Sequence, residues 1–122
     1  MRKNQRGFTL IELIMVIVLL GLLAIVAIPK YYDLTTDAKT AAEQGVVGAV
    51  RSGIYTYFAK NKAYPATLDA AAVGACAVAN KCFDTILDQG GIQQDWTKAS
   101  ATTYTGPAGT TYTYTAATGQ FV

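Results

Sequence analysis

Glu12 is the charged side chain whose position most needs a chemical explanation in this sequence. It is the only charged residue in the apolar run over residues 8–28. A carboxylate in hydrocarbon costs about 2.5–3.5 kcal/mol on membrane-insertion scales, so its presence requires a partner or a purpose. Charge pairing is the chemistry that this residue offers.

The chain contains few of the residue types that enzymes use for catalysis. It contains no histidine, two serines (Ser52 and Ser100) and two cysteines, so no nucleophile and base pair can be assembled. It also lacks a phosphate-binding loop, a dinucleotide fingerprint and a cluster of metal ligands. Asp84 and Asp88 could hold a cation, but a solvated pair on a short surface helix is the favoured interpretation. We predict no enzyme activity, no cofactor and no metal.

The apolar run is the element that positions Glu12, and its length favours membrane insertion. A helix over residues 8–28 rises about 1.5 Å per residue and just spans a bilayer core. Arg2, Lys3 and Arg6 precede the run and form a positive cytoplasmic flank, which orients its C-terminal side outward. The 122 residues leave room for one small domain beyond it.

The residues beyond the run exclude one partner and predict one covalent link. After Gly7 the chain holds seven basic and eight acidic residues, which offers no electrostatic footprint for nucleic acid. Cys76 and Cys82 follow the membrane segment, on the non-cytoplasmic side, where disulfides persist. We predict that they are paired, with a stabilisation on the order of 2 kcal/mol because the closed loop is short.

Three interpretations compete for the N-terminal segment. A secretory signal peptide fits poorly, because the apolar run is longer than the usual ~7–15 residues, contains Glu12 and lacks a clean small-x-small cleavage site. A plain signal anchor explains length and orientation but leaves the glutamate as an unexplained cost. The third interpretation is a prepilin signal.

The stretch "RGFTLIELIMVIVLLGLLAIVAIPKYY" resembles the N-terminus of type IV pilins and of the pseudopilins of type II secretion. The resemblance implies that a dedicated peptidase removes residues 1–7 by cutting after Gly7 and that the new N-terminal residue, Phe8, is N-methylated. Glu12 then matches the family's intramembrane glutamate. Pro29 matches its helix-kinking proline.

The resemblance also supplies a partner for Glu12. Cleavage creates an amine at Phe8, and the family's logic is that the glutamate of an incoming subunit pairs with the amine of a subunit already in the filament. Burial makes this pairing selective for axial register, since a misplaced subunit leaves a charge unpaired. The implied partners are further copies of the chain, the prepilin peptidase and methyltransferase, the inner-membrane assembly machinery and, before assembly, the membrane. Thr9 bonds, at most, within the first helical turn.

The remaining sequence predicts a helix followed by a small head. Residues 8–29 form the apolar helix, residues 30–61 continue it amphipathically, and residues 62–122 form the head with the disulfide loop. We expect the helix to bury a stripe made of Leu34, Ala38, Ala42, Val46, Val50, Ile54 and Tyr57 or Phe58, with Asp37, Lys39, Glu43 and Arg51 elsewhere. Short helices are expected after Thr67 and around "FDTILD".

The end of the chain predicts antiparallel strands. Aromatic residues and threonines alternate on both sides of "GPAG", which indicates a hairpin with strands near 102–105 and 110–115, and a further strand at "GQFV". Tyr112 and Tyr114 share one face, so that face can cover the helix. The predicted fold class is α+β: a long N-terminal helix packed on a small C-terminal antiparallel sheet.

The predicted function is that of a structural subunit, which starts in the bacterial inner membrane and polymerises into an extracellular pilus. Fragments such as "YPATLDA" and "TYTYTAATGQF" resemble pilins of the mannose-sensitive haemagglutinin type. Two alternatives stay open: a pseudopilin that forms a short periplasmic pseudopilus, and a monomeric membrane-anchored binding domain. The absence of acidic residues after Asp95 favours the pilus over the pseudopilus, because it leaves no evident calcium site of the pseudopilin kind.

Overall fold

A computed structural model describes residues 6–122, and this part of the chain contains one helix and five strands. They are α1 (Leu10–Asn61), β1 (Gly74–Ala75), β2 (Thr97–Lys98), β3 (Thr103–Thr105), β4 (Thr111–Thr115) and β5 (Gln120–Phe121). The chain divides into two compact units, Met1–Thr36 and Asp37–Val122. Arg2, Lys3 and most of the predicted leader lie outside the described residues.

The first unit consists, from Leu10 onward, of the apolar part of α1. Its leucine, isoleucine, valine and methionine side chains are all exposed to at least half of their maximal area, with Val16 the lowest at 50%. This stretch of helix is long and apolar enough to cross a membrane, and none of it is buried inside the protein. Such a surface is stable in contact with lipid or with other apolar helices, and not in water.

The second unit is built on a five-stranded antiparallel sheet in the order β1-β2-β3-β4-β5. Each strand pairs with the next along the chain, and Tyr104 on β3 lies opposite Tyr112 on β4. Tyr114 is buried while the threonines of β4 are exposed, as the alternation predicts. The predicted α+β fold class, with a long N-terminal helix and a small antiparallel sheet, is confirmed.

The core of the second unit lies between α1 and the sheet. Three aromatic rings pack around Phe83, with Trp96 and Phe121 edge-on at 5.5 Å and 5.7 Å and Tyr104 tilted at 4.4 Å between centroids. Such pairs add roughly 0.5–1.5 kcal/mol each beyond their buried area. The buried cluster comprises Val47, Val50, Ile54, Leu68, Cys76, Cys82, Phe83, Ile86, Trp96, Tyr104, Tyr114 and Phe121.

The buried face of α1 differs in part from the predicted stripe. Val50 and Ile54 are buried as expected, but Glu43 and Val47 take the places predicted for Ala42 and Val46. Leu34, Ala38, Ala42 and Phe58 are exposed, while Val46 and Tyr57 are half-buried. The prediction failed because it excluded a carboxylate from the core, whereas the β3–β4 hairpin supplies donors to that carboxylate.

The loop region between Asn61 and β3 also departs from expectation. The two short helices predicted after Thr67 and around "FDTILD" are absent from it, and β1 and β2 were not predicted. Residues 83–87 form a single turn, in which the Leu87 N–H donates to the Phe83 carbonyl at 3.0 Å. Phe83 itself has a φ of 60°, outside the helical region, so no helix can extend through it.

Gly53 is the point where α1 approaches the head most closely. A Cβ at this position would lie 2.6 Å from the Ile86 carbonyl oxygen, which is closer than any real contact of that kind. The absence of a side chain therefore lets the helix backbone pack directly against the 83–87 turn. Gly48, one and a half turns earlier, would meet nothing within 4 Å.

These two glycines form a matched pair for a stability test. We expect Gly53→Ala to lower the free energy of unfolding by about 1–3 kcal/mol, because the new methyl group collides with backbone. Gly48→Ala should raise it by up to about 1 kcal/mol through helix propensity alone. Denaturant unfolding of the full chain in detergent micelles measures both. Equal effects of the two substitutions would contradict the close approach.

Candidate functional site

The predicted processing point lies ahead of α1, outside regular secondary structure. Residues 6–9 have no regular secondary structure, and the helix begins at Leu10. Gly7 and Phe8 are exposed, the phenylalanine to 90%. Proteolysis is favoured in exposed segments without regular secondary structure, and this segment has both properties. Cleavage after Gly7 and methylation of Phe8 remain predictions.

Glu12 and Thr9 form a capping box at the start of α1. The Glu12 N–H donates to the Thr9 Oγ1 at 3.3 Å, and the Thr9 N–H donates to the Glu12 Oε2 at 3.1 Å. This reciprocal pair satisfies two backbone donors that a helix N-terminus otherwise leaves without partners. The predicted bond of the Thr9 hydroxyl within the first turn is present.

The Glu12 half of this box was missed by the sequence analysis. The signal was the T-x-x-E spacing from Thr9 to Glu12, which is typical of a capping box. The carboxylate is exposed and hydrogen-bonded to a neutral amide. Its charge is therefore oriented but not neutralised, and the side chain is suited to pair with a cation.

Pro29 lies inside α1, which is helical on both sides of it. The proline lacks the N–H that would donate to the carbonyl of residue 25, so the helix is weakened there. The predicted kink remains a prediction. Two hydroxyls follow within two turns: Thr35 Oγ1 donates to the Tyr31 carbonyl at 2.9 Å and Thr36 Oγ1 to the Tyr32 carbonyl at 3.4 Å.

Glu43 anchors the β3–β4 hairpin to α1 in the second unit. The side chain is 2% exposed. Its Oε2 accepts from the Ala108 N–H at 2.7 Å and its Oε1 from the Tyr112 hydroxyl at 2.8 Å. Gly106 permits this approach, since a Cβ there would collide with the carboxylate. The sequence signal for the burial of Glu43 is its spacing: it lies four residues before Val47 and therefore on the same face of the helix.

The environment of Glu43 favours its ionised form. Burial alone would raise the pKa of this carboxyl, but hydrogen bonds from Thr110, Tyr112 and the backbone of Ala108 together lower it below the ordinary value of 4.5. The pKa of Tyr112 is raised in turn, first by burial and then by the hydrogen bond to Glu43. The hairpin is thus held by a charge-assisted contact.

The predicted disulfide is present between Cys76 and Cys82, with 5.6 Å between the Cα atoms. Both cysteines are buried, and their backbones are bonded to other parts of the head: the Cys76 N–H donates to the Trp96 carbonyl and the Cys82 N–H to the Ile92 carbonyl. The bond therefore fixes the loop beside β1 to the sheet. It confirms the sequence prediction.

The described part of the chain contains no cluster of side chains that could form a metal site. Residues 6–122 contain no group of three or more His, Cys, Asp or Glu side chains that could hold an ion. Asp84, one of the two aspartates considered above, accepts a hydrogen bond from the Ala70 N–H at 3.4 Å.

The residues predicted for processing and assembly lie together at the start of α1. They are Gly7, Phe8, Thr9 and Glu12.

Comparison with known proteins gives the same picture of the N-terminal segment. The family described as "Prokaryotic N-terminal methylation motif" matches residues 2–28. The type II secretion system core protein G of Pseudomonas aeruginosa is 38% identical over 66 residues, which cover 54% of this chain and 46% of that protein. No solved structure matches the chain significantly.

Two pilus proteins are also among the relatives. The fimbrial protein EcpC of Eikenella corrodens is 34% identical over 80 residues, covering 66% of this chain and 51% of that protein. The type IV narrow pilus major component PilA5 of Thermus thermophilus is 47% identical over 49 residues, covering 40% of this chain and 42% of that protein. The chain spans about half the length of the curated relatives it matches.

The long apolar helix, its capped glutamate and the small antiparallel sheet define an α+β protein with a long apolar N-terminal helix. The methylation motif over residues 2–28 and the relatives agree with that class. The chain thus carries the N-terminal methylation motif over residues 2–28 and is similar, over about half of its length, to proteins of type IV pili and of type II secretion. Its resemblance to the mannose-sensitive haemagglutinin type remains a prediction.

The Glu43 anchor predicts how stability depends on pH. Because its pKa is lowered in the folded state, Glu43 stabilises the fold above its ordinary value of 4.5, and this contribution is lost as the pH falls through the folded pKa. Glu43→Gln should reduce the free energy of unfolding at pH 7 by roughly 1.5–3 kcal/mol. The difference from the wild type should shrink below pH 4.5. Unfolding curves of the wild type and Glu43→Gln at pH 7 and below pH 4.5 measure this difference in the free energy of unfolding. A difference that does not change with pH would contradict the assignment.

Proposed function

We propose that this chain is a structural subunit of a type IV pilus, cleaved after Gly7, N-methylated at Phe8 and polymerised into a helical extracellular filament. The observation that carries the proposal is that the apolar side chains of α1 over residues 10–28 are all exposed, and that the single charge in this stretch is a capped carboxylate in the first turn. A filament gives such a helix apolar neighbours in place of lipid.

The proposed assembly contact joins Glu12 of one subunit to the Phe8 amine of another. The capping box holds the carboxylate at the N-terminal end of α1, where the amine of a neighbouring copy can reach it. An amine and a carboxylate neutralise one another in apolar surroundings, and a subunit docked out of register leaves both unpaired. The pairing therefore specifies the axial position of each subunit.

The partners follow from this proposal. They are other copies of the chain, a prepilin peptidase and methyltransferase, the inner-membrane assembly machinery and the membrane that holds the precursor. The subunit has a structural role, and we propose no enzyme activity, cofactor or nucleic-acid partner for it. The precursor resides in the bacterial inner membrane before it becomes part of the pilus.

A pseudopilin is the second candidate. The similarity to a core protein of type II secretion supports it, because that relative is 38% identical over 66 residues of the chain. The absence of acidic residues after Asp95 supports the pilus. The two functions share every proposed N-terminal residue, so only the length and location of the filament separate them.

The role of Glu12 is tested by substitution. Glu12→Ala should leave processing and membrane insertion intact and abolish filaments, because the Phe8 amine loses its partner. Asp37→Ala is the matched control, since it removes an exposed carboxylate from the same helix. Electron microscopy of sheared material and immunoblots of membranes provide the measurement. Normal filaments from Glu12→Ala would refute the proposed register contact.

Processing and location are tested by mass spectrometry of the N-terminal peptide. A peptide that starts at N-methylated Phe8 and is recovered from long sheared fibres is the expected result. The same peptide confined to the cell envelope would favour the pseudopilus. An uncut N-terminus in the assembled material would refute cleavage after Gly7.

A further inference from the structure

One face of the sheet carries an ordered array of threonines. Directly paired residues of antiparallel strands have their side chains on the same face. The pairing of β2, β3 and β4 therefore brings five threonines into two rows, which we call the threonine face. The first row is Thr97, Thr105 and Thr111, and the second is Thr103 and Thr113. The other face carries Tyr104 and Tyr114, which are buried with Val50 and Ile54 of α1.

The threonine face is open to solvent and neutral. Three of its threonines are exposed, while Thr103 and Thr105 are half-buried. The sequence has no Asp, Glu, Lys or Arg after Lys98, so β3, β4 and β5 contribute only neutral side chains. Each threonine presents a methyl group and a hydroxyl that both donates and accepts hydrogen bonds. Such a surface offers no ionic contact to a charged partner.

The threonine face is complementary to a second copy of itself. Two identical charged surfaces repel one another, whereas two neutral surfaces do not. Hydroxyls supply donors and acceptors on both sides, as they do within one copy, where the Oγ1 atoms of Thr105 and Thr111 lie 3.5 Å apart. An interface of this kind is isologous, because the same patch serves both partners.

The size of the face decides where such pairing can operate. At about 4.8 Å between strands and 3.4 Å per residue, five strands of up to five residues present no more than about 400 Å². A stable complex buries about 800 Å² on each partner. One pair of faces is therefore too small to hold two free subunits together. A filament repeats the face along its length, so many weak contacts act together at a high effective concentration.

We propose that the threonine faces of neighbouring filaments pair and hold the filaments side by side. This inference rests on the proposed pilus, because only a filament presents the face as a repeated array. In a filament whose core consists of α1 helices, the sheet face turned away from α1 is the one left for contacts between filaments. After Gly7 the chain has seven basic and eight acidic side chains, so filaments carry little net charge that would keep them apart.

Charge substitution in the full-length chain tests the pairing. Thr113→Lys places an ammonium in the second row of every subunit, so two faces then meet with like charges. Sheared wild-type filaments should pellet at low speed as bundles, and the variant should form filaments of normal length that stay single. We expect the pelleted fraction to fall by roughly tenfold or more at 0.1 M salt and to recover at 1 M, because the Debye length shrinks from about 10 Å to about 3 Å.

Two further variants show whether the position of the charge matters. Thr97→Lys adds the charge to the first row and should also abolish bundles. Thr85→Lys is the matched control and should leave bundles intact, because it adds the same charge to an exposed threonine outside the five strands. Electron microscopy counts single and bundled filaments in each preparation. Loss of bundles in Thr85→Lys as well would show a general effect of charge and overturn the assignment to this face.

Mixing two variants tests whether the face pairs with itself. Filaments of Thr113→Glu should stay single for the same reason as those of Thr113→Lys. An equal mixture of the two should form bundles that contain both, because opposite charges then meet across the interface. Labelling each variant with its own fluorophore identifies mixed bundles by light microscopy. A mixture that stays single would contradict pairing between identical faces.

The state of the wild-type filaments separates the pairing from the pilus itself. Single filaments from the wild type, or bundles that persist in Thr113→Lys at the lower salt concentration, would overturn the pairing and leave the pilus standing. A wild type that forms no extracellular filaments would refute the pilus and the pairing with it. Single wild-type filaments that pellet with insoluble cellulose, when those of Thr113→Lys do not, would assign the face to a neutral polysaccharide and overturn the pairing.

Discussion

The exposed apolar surface of the first part of α1 is the constraint on which the rest of the molecule depends. A helix of this kind is stable only where something apolar covers it, and the capped glutamate in its first turn is stable only where something positive meets it. Lipid meets the first requirement and not the second. In the filament proposed above, a second copy of the same helix with a free Phe8 amine meets both, so the proposed assembly satisfies the apolar surface and the glutamate together.

In the head, buried polar groups position short strands and turns that would not be stable by themselves. Four of the five strands have two or three residues, too few for a stable sheet by their own hydrogen bonds. Glu43 fixes the β3–β4 hairpin to α1, the disulfide fixes the loop beside β1, and Asp69 fixes the turn at Phe83. The aromatic cluster around Phe83 then fills the space between them.

What the sequence predicted depended on how locally each feature is encoded. The helix, the hairpin at "GPAG" and the cysteine pair are signalled by residues close together, and all three are present. The burial of Glu43 depends on donors some 65 residues away, at Ala108. The turn at Phe83 replaces the expected helix because Asp69, 14 residues earlier, accepts its N–H. No window of sequence contains both partners of such contacts.

The contact between Gly106 and Glu43 has a consequence for how such sequences can diverge. A side chain at position 106 would occupy the space of the carboxylate, and a shorter residue at position 43 would leave the Ala108 N–H without an acceptor. The two positions are therefore free to vary only together. The exposed tip of the β3–β4 hairpin is not restricted in this way. We expect paired changes at 43 and 106 among related chains, with single changes at the exposed Ala108.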